Sequence, residues 1–146
     1  MKITINIEPE KDDAEIIISC KQLTPEIERI IASVRMLENQ LTLKLDGAIH
    51  VVDPFEALYI ESEDRRTFVY TNEHVYETEL KLYELEEKLT ARYFFRVSKS
   101  CIVNLKRIKM LKTDVDRRIK ITMDNGEQII ASRMYADELR KKLGVK

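Results

Sequence analysis

Glycine is scarce in this chain: three occur in 146 residues, and no two are close together. Nucleotide-binding loops need clustered glycines to bring the backbone against phosphate, so this class of site is excluded. The two cysteines, Cys20 and Cys101, are too few for a disulfide scaffold or a zinc site. We expect each of them to be a small buried apolar side chain.

Long apolar runs are absent as well. No run approaches the ~20 residues that a membrane-spanning helix needs. The opening residues, MKITINIEPEKDD, lack the basic-then-apolar pattern of a secretory signal, so we expect a cytoplasmic protein. With 44% apolar and 35% charged residues, the length suits one globular domain, alone or with a short appendage.

Catalytic patterns are also missing. The two histidines, His50 and His74, have no cysteine or second histidine at metal-ligand spacing. The acidic clusters at residues 61–64 and 84–87 are typical of solvated faces, and no G-x-S-x-G elbow occurs. We therefore predict a protein that is not an enzyme, with no small-molecule substrate, metal or cofactor.

The net charge of −1 conceals an uneven distribution along the chain. Residues 1–90 hold ten Lys/Arg and twenty Asp/Glu, a net charge of −10. Residues 91–146 hold fifteen Lys/Arg and six Asp/Glu, a net charge of +9. Such a separation of charge predicts a polyanionic partner for the C-terminal part.

The first forty residues read as two strands and a helix. Isoleucines alternate with polar residues over residues 1–8, and β-branched residues recur over 14–20, so these runs predict a hairpin. Over residues 24–39 the apolar residues recur at helical spacing and form a stripe along one side of the predicted helix. Thr24 is its predicted N-cap. That stripe could pack on the chain's own sheet or on a second copy. It consists of Ile27, Ile30, Ile31, Val34 and Leu37.

From residue 41 onward the pattern is mainly β. Asp46–Gly47 and residues 124–126 are strong hairpin turns. Amphipathic helices are predicted at residues 79–89 and 134–143. The predicted strands are residues 41–45, 49–52, 57–62, 67–71, 74–77, 93–97, 101–103, 108–113, 119–123 and 127–131. We therefore expect a mostly β fold with short helices, of the α+β class.

Residues 92–120 are the most basic segment, with ten Lys/Arg against two Asp. Neutralising phosphates with this segment would release counterions and favour nucleic-acid binding at low salt. A well-solvated β surface of mixed charge is the alternative, and charge alone does not decide between them.

The string YFFRVSKSCIVNLKRIKML at residues 93–111 closely resembles the hallmark of the LytTR family of bacterial DNA-binding domains. Three further pieces are similar to the family in the same order. They are ALYIESEDRRTFVYT at residues 57–71, LKLYELEEKL at 80–89 and NGEQIIASRMYADELRKKL at 125–143. The resemblance covers residues 41–146 and implies a compact, multi-sheet β domain of the LytTR type.

The resemblance also implies a function and a set of contacts. Family members are usually transcription regulators that recognise direct repeats in duplex DNA, often as dimers, with loops inserted into successive major grooves. The implied contacts are Arg65 and Arg66 in one loop, Ser98, Lys99 and Ser100 in a second, and Ser132 and Arg133 in a third. Lys106, Arg107, Arg117 and Arg118 would form a supporting basic face.

Several residues of the motif have alternative roles. Other members often carry Asn, His or Arg where Lys99 stands, so Lys99 could contact either a base or a phosphate. Arg96 and Asn104 match the motif strongly, and we expect both to be scaffold residues. We expect the aromatic side chains of residues 93–95 to be core.

Residues 1–40 leave no room for the receiver domain that many family members carry. We predict that this acidic segment serves in dimerisation or partner docking, giving a homodimer or a regulator controlled by a membrane protein. Two competing functions remain open. One is a protein-interaction module without DNA binding of its own, and the other is RNA binding, which the absence of RNP-like and KH-like motifs disfavours.

Overall fold

The computed structural model of the chain describes residues 1–90 and 92–144, and its elements are numbered in chain order. The described residues form ten strands and three α-helices, with five strands between the first and second helices and five between the second and third. The helices are α1 (Pro25–Leu37), α2 (Leu82–Leu89) and α3 (Arg133–Leu143). The strands are β1 (Leu41–Leu45), β2 (Ala48–Val52), β3 (Tyr59–Glu63), β4 (Arg66–Tyr70), β5 (Val75–Thr78), β6 (Phe94–Ser98), β7 (Cys101–Asn104), β8 (Ile108–Thr113), β9 (Ile119–Met123) and β10 (Gln128–Ala131). The mostly β fold class is confirmed.

The strands form two antiparallel sheets. The larger sheet has seven strands in the order β2-β1-β5-β4-β3-β7-β6, and the smaller has three in the order β10-β9-β8. The Asp46–Gly47 turn closes the β1–β2 hairpin, with Leu45 opposite Ala48. Both turn residues have positive φ, as a two-residue hairpin of this type requires.

Two apolar clusters lie on opposite sides of the large sheet. One gathers residues of α1 and α2 with Ile60, Val69 and Ile102. The other joins the large sheet to the small sheet and α3, and it contains Cys101 and Val103. Neighbouring residues of β7 therefore enter different clusters, because successive side chains of a strand point to opposite faces. This explains why all four residues of β7 are buried.

Helix α1 packs on the chain's own sheet. Thr24 caps it by accepting a hydrogen bond from the Ile27 N–H at 3.3 Å. Ala32 and Met36 are buried in the same cluster as Leu41 of β1, so one core spans the predicted boundary at residue 40. Leu37, the last residue of the predicted stripe, is exposed.

Residues 1–23 differ from the sequence-based prediction. The hairpin predicted from residues 1–8 and 14–20 does not form, and every residue of this segment is exposed. Period-two alternation shows that a segment can pair as a strand, but it does not supply the partner. Cys20 lies in this segment and is exposed, so the prediction that it is buried is wrong, whereas that for Cys101 is confirmed.

Asn104 ties the end of β7 to the loop before β3. Its amide Nδ2 donates to the carbonyl oxygens of Phe55 at 3.2 Å and of Ala57 at 2.9 Å. Its Oδ1 accepts from the Lys106 N–H at 3.0 Å. The Asn104 side chain is fully buried, and these bonds satisfy its own polar atoms together with the buried Ala57 carbonyl. The predicted scaffold role of Asn104 fits this geometry.

Asn104→Ala should lower the free energy of unfolding by about 2 kcal/mol, because the buried Ala57 carbonyl loses its side-chain donor. Urea denaturation would measure the loss. Asn72→Ala removes an amide from an exposed position and should stay within about 0.5 kcal/mol of the parent chain. Equal losses in the two variants would contradict the scaffold role.

Candidate nucleic-acid interface

The β3–β4 turn presents two arginines in different states. Arg65 lies at the tip with a φ of 66°, is exposed, and follows Asp64, which has a φ of 51°. Arg66 begins β4, and its guanidinium forms two hydrogen bonds to the Glu77 carboxylate at 2.6 and 3.2 Å. Arg66 lowers the pKa of Glu77, so the carboxylate is ionised at neutral pH and holds that arginine. Arg65 is therefore the more available cation of the two.

The conformation of Arg65 carries a cost that the chain avoids in another hairpin. In the β1–β2 turn the second central residue is Gly47, with a φ of 78°. Glycine adopts this left-handed region freely, whereas a residue with a Cβ loses about 1–2 kcal/mol there. An arginine at the equivalent place in the β3–β4 turn is therefore a candidate for a role in binding.

The β6–β7 turn holds Lys99 on a braced backbone. The Arg96 guanidinium donates to the carbonyl oxygens of Ser98, at 2.9 Å, and of Lys99, and it pairs with Glu86 of α2 at 3.0 Å. The Ser98 hydroxyl accepts from the Ser100 N–H at 3.2 Å. Lys99 itself is exposed at the tip. This geometry fits the predicted scaffold role of Arg96 and leaves the Lys99 ammonium facing solvent.

The third predicted loop is the start of α3. Ser132 is the N-cap residue, and its carbonyl oxygen accepts from the Ala136 N–H at 2.9 Å, while its hydroxyl makes no capping bond. Arg133 is the first residue of the helix and is exposed. A helix N-terminus carries partial positive charge and unpaired N–H groups, so Arg133 adds a full charge where an anion is already favoured.

Backbone hydrogen bonds bring the three loops to one end of the large sheet. The Ser62 N–H donates to the Ser100 carbonyl at 2.9 Å, which joins the end of β3 to the β6–β7 turn. The Ser132 N–H donates to the Val97 carbonyl at 2.9 Å, which places the start of α3 beside that same turn. We call this end, comprising residues 63–66, 98–100 and 132–133, the loop end.

The β8–β9 turn adds a further arginine beside the loop end. Arg117, Arg133 and Arg140 line an open cleft of about 630 Å³ together with Val115, Asp116 and Asp137. Arg117 is exposed and, like Arg65, has a positive φ, of 64°. Arg118 is instead paired with Asp114 at 3.3 Å and with Asp116 at 3.4 Å. Of the predicted supporting face, Arg117 is thus the residue that adjoins the loops.

Arg140 was not predicted as a site residue. In the sequence it is one of three consecutive cations near the end of the last predicted helix. Residues 133, 137 and 140 have the i, i+4, i+7 spacing that puts side chains on one helix face, and this signal could have identified it. Its guanidinium pairs with Asp137 at 3.1 Å and donates to the Thr113 hydroxyl at 3.1 Å.

Arg107 and Lys106 do not belong to a basic face at the loop end. Arg107 is 8% exposed: its guanidinium pairs with Asp124 at 2.5 Å and donates to the Phe55 carbonyl at 3.0 Å. The prediction of Arg107 as a surface cation is therefore wrong. The Asp124 carboxylate, seventeen positions along the chain, binds its guanidinium, and the arginine is buried. Lys106 is exposed but follows the far end of β7, where its ammonium lies 5.0 Å from the Tyr93 ring centre.

The described residues hold no cluster of His, Cys, Asp and Glu that could bind a metal ion. Within the same part of the chain, no helix is long and apolar enough to cross a membrane. His50 and His74 are exposed, and their ring centres lie 5.4 and 5.7 Å from that of Tyr76.

The chain belongs to the LytTR family: the family model of the LytTr DNA-binding domain matches residues 47–144. A LytTr DNA-binding domain from Bacillus cereus has a similar structure, with a TM-score of 0.69 and 33% identity over 73% of this chain and 97% of that one. An uncharacterized HTH-type transcriptional regulator of Staphylococcus aureus (strain MSSA476) is 25% identical over 99% of both chains. The sensory transduction protein LytT of Bacillus subtilis is 32% identical over 74% of this chain and 45% of its own length.

These findings make the chain a DNA-binding transcriptional regulator. Some relatives are named for a helix-turn-helix, yet among the described residues strands separate each α-helix from the next. The three loops, rather than a recognition helix that follows another helix, are therefore the candidate interface.

Arg65→Gly should raise the free energy of unfolding by up to about 1 kcal/mol, because it creates an Asp-Gly turn like that of the β1–β2 hairpin. Arg66→Gly, one residue along, should lower it by removing the Glu77 partner and weakening the strand. Thermal or urea unfolding of the two variants would measure both effects. A lower free energy of unfolding in Arg65→Gly would show that the arginine stabilises the fold.

Proposed function

We propose that the protein binds duplex DNA sequence-specifically by inserting the loop end into the major groove of direct-repeat sites, and that it thereby regulates transcription. The observation that carries this proposal is the convergence of three predicted contact loops. Two backbone hydrogen bonds hold them together, one between Ser62 and Ser100 and the other between Ser132 and Val97. Three separate parts of the sequence thus meet on one surface.

The exposed cations of this surface suit different parts of DNA. Lys99 stands at the tip of a braced hairpin, so we assign it to the groove, where its ammonium can donate to guanine O6 and N7. Arg133 stands at a helix N-terminus, so we assign it to a backbone phosphate. Arg65 belongs to the loop end and Arg117 lines a cleft with Arg133, so both would add further phosphate contacts.

Lys99→Ala and Arg133→Ala should each weaken binding to the selected duplex by about 5- to 100-fold while leaving the melting temperature nearly unchanged. Arg133→Ala should also reduce the slope of log K against log salt concentration by about 1, because one phosphate contact is lost. Fluorescence anisotropy with a labelled duplex over a range of salt concentrations would measure both quantities.

Lys106→Ala is the matched control, because it removes an exposed cation from the far end of β7. It should bind DNA like the parent chain. If Lys106→Ala weakened binding as much as Lys99→Ala, the charge of the whole chain would be responsible and the loop end would not be the interface.

Base analogues test whether the protein contacts the major or the minor groove of the DNA. Selection from a random duplex pool first gives the site and the repeat spacing. Replacing guanine by 7-deazaguanine in that site removes the N7 acceptor from the major groove, and we expect a loss of about 1–3 kcal/mol of binding free energy at a contacted position. Replacing guanine by inosine removes only the minor-groove amino group and should have little effect.

A larger loss of binding free energy with inosine than with 7-deazaguanine would place the protein in the minor groove. Selection of a single unrepeated site would contradict direct-repeat recognition. A chain that bound no duplex even at low salt would support the alternative of a protein-interaction module. Control by a membrane protein stays a prediction.

A further inference from the structure

Residues 1–23, here called the N-terminal arm, have strand-like sequence but no strand partner among the described residues. Ile3, Ile5 and Ile7 are 83, 82 and 86% exposed. Ile16 and Ile17 are exposed as well, and the arm has no regular secondary structure. Alternating β-branched residues are suited to a half-buried strand, yet the apolar side chains of the arm are exposed to solvent.

Strand β2 offers an unprotected edge. It ends the seven-stranded sheet, and its sequence, AIHVV, contains no proline and no Lys, Arg, Asp or Glu that would block further pairing. Leu45 and Ala48 close a two-residue hairpin and form a hydrogen-bonded pair, so Ile49 and Val51 direct their N–H and C=O groups outward. Both side chains are also partly in water, at 43 and 49% exposure.

The arm leaves the fold beside this edge. It joins α1 at Thr24, one turn before Glu28. The Glu28 carboxylate pairs with the Lys44 ammonium, and Lys44 lies opposite Ile49 in the β1–β2 register. In each copy the junction between the arm and α1 thus lies near the unpaired edge.

We propose that two copies exchange their N-terminal arms, residues 2–8 of each adding a strand to the β2 edge of the other. A twofold arrangement makes the contact twice and satisfies both arms and both edges, so the assembly closes as a dimer. Each copy contributes residues 2–8 of its arm and its own β2 edge, so the interface contains both elements twice.

The exchanged arms would leave the DNA-binding surface free. The β6–β7 turn lies five to six strand spacings from the β2 edge, and the β3–β4 turn, the part of the loop end nearest to that edge, lies three to four spacings from it. At about 4.8 Å per spacing these separations are on the order of 25–30 Å and 15–20 Å. Dimerisation can therefore be tested without DNA, and its failure would not affect the proposed function.

Sedimentation of the intact chain over a range of concentrations gives the dimer affinity. The double variant Ile3→Lys with Ile5→Lys should weaken self-association by at least about 100-fold, because the apolar side chains of the arm become charged. The double variant Thr4→Lys with Asn6→Lys adds the same charge to the opposite side of the same strand and should remain a dimer.

The edge is tested separately. Val51→Pro removes an outward N–H and should give a folded monomer, whereas Val51→Thr keeps that N–H and should remain a dimer. Circular dichroism would establish that each variant is folded, and the arm variants decide the matter if Val51→Pro fails to fold.

Cys20 provides a direct probe of exchange. It is exposed, while Cys101 is buried and burial raises the pKa of its thiol to about 12, so a thiol-reactive dye should label Cys20 alone. Mixing donor-labelled and acceptor-labelled chains should produce energy transfer that the Ile3→Lys, Ile5→Lys variant lacks. A monomer at every concentration, or equal association of the two double variants, would overturn the proposal.

Discussion

The burial of β7 on both faces is the constraint on which the other elements depend. Ile102 enters the cluster under α1 and α2, while Cys101 and Val103 enter the cluster under the small sheet. Because one strand belongs to both cores, the two layers cannot shift independently. The turn before β7 carries Lys99 and the strand beside it holds Ser132 through Val97, so the same constraint fixes the relative positions of two candidate DNA-contacting loops.

Two arginines with carbonyl and carboxylate partners stabilise the fold, and they are different from the exposed arginines near the loop end. Arg96 holds the carbonyl groups of the β6–β7 turn, and Arg107 joins Asp124 to the loop that contains Phe55. Arg65 and Arg117, by contrast, occupy left-handed backbone positions that disfavour side chains with a Cβ. Backbone strain of this kind clusters at functional sites, so Arg65 and Arg117 are candidate contact residues.

The parts of this fold that could be predicted depend on residues close together in the sequence. The parts that could not be predicted depend on contacts between residues far apart in the sequence. The strand over residues 119–123 and the turn at Asp46–Gly47 follow from patterns within a few residues, and both form as predicted. The strand predicted at residues 1–8 does not form, because pairing needs an edge that local sequence cannot provide. Arg107 was misassigned because its burial depends on Asp124, seventeen positions away.

By itself, the sequence determined the β-rich fold class, the LytTR family and the three candidate loops, because alternation, turn residues and a family motif are local features. Only the tertiary structure decided which cations are available to a ligand. It buried Arg107, paired Arg66 with Glu77, and brought Arg117 and Arg140 beside Arg133. The physical reason is that the availability of a charge depends on neighbours supplied by distant parts of the chain, and only folding selects them.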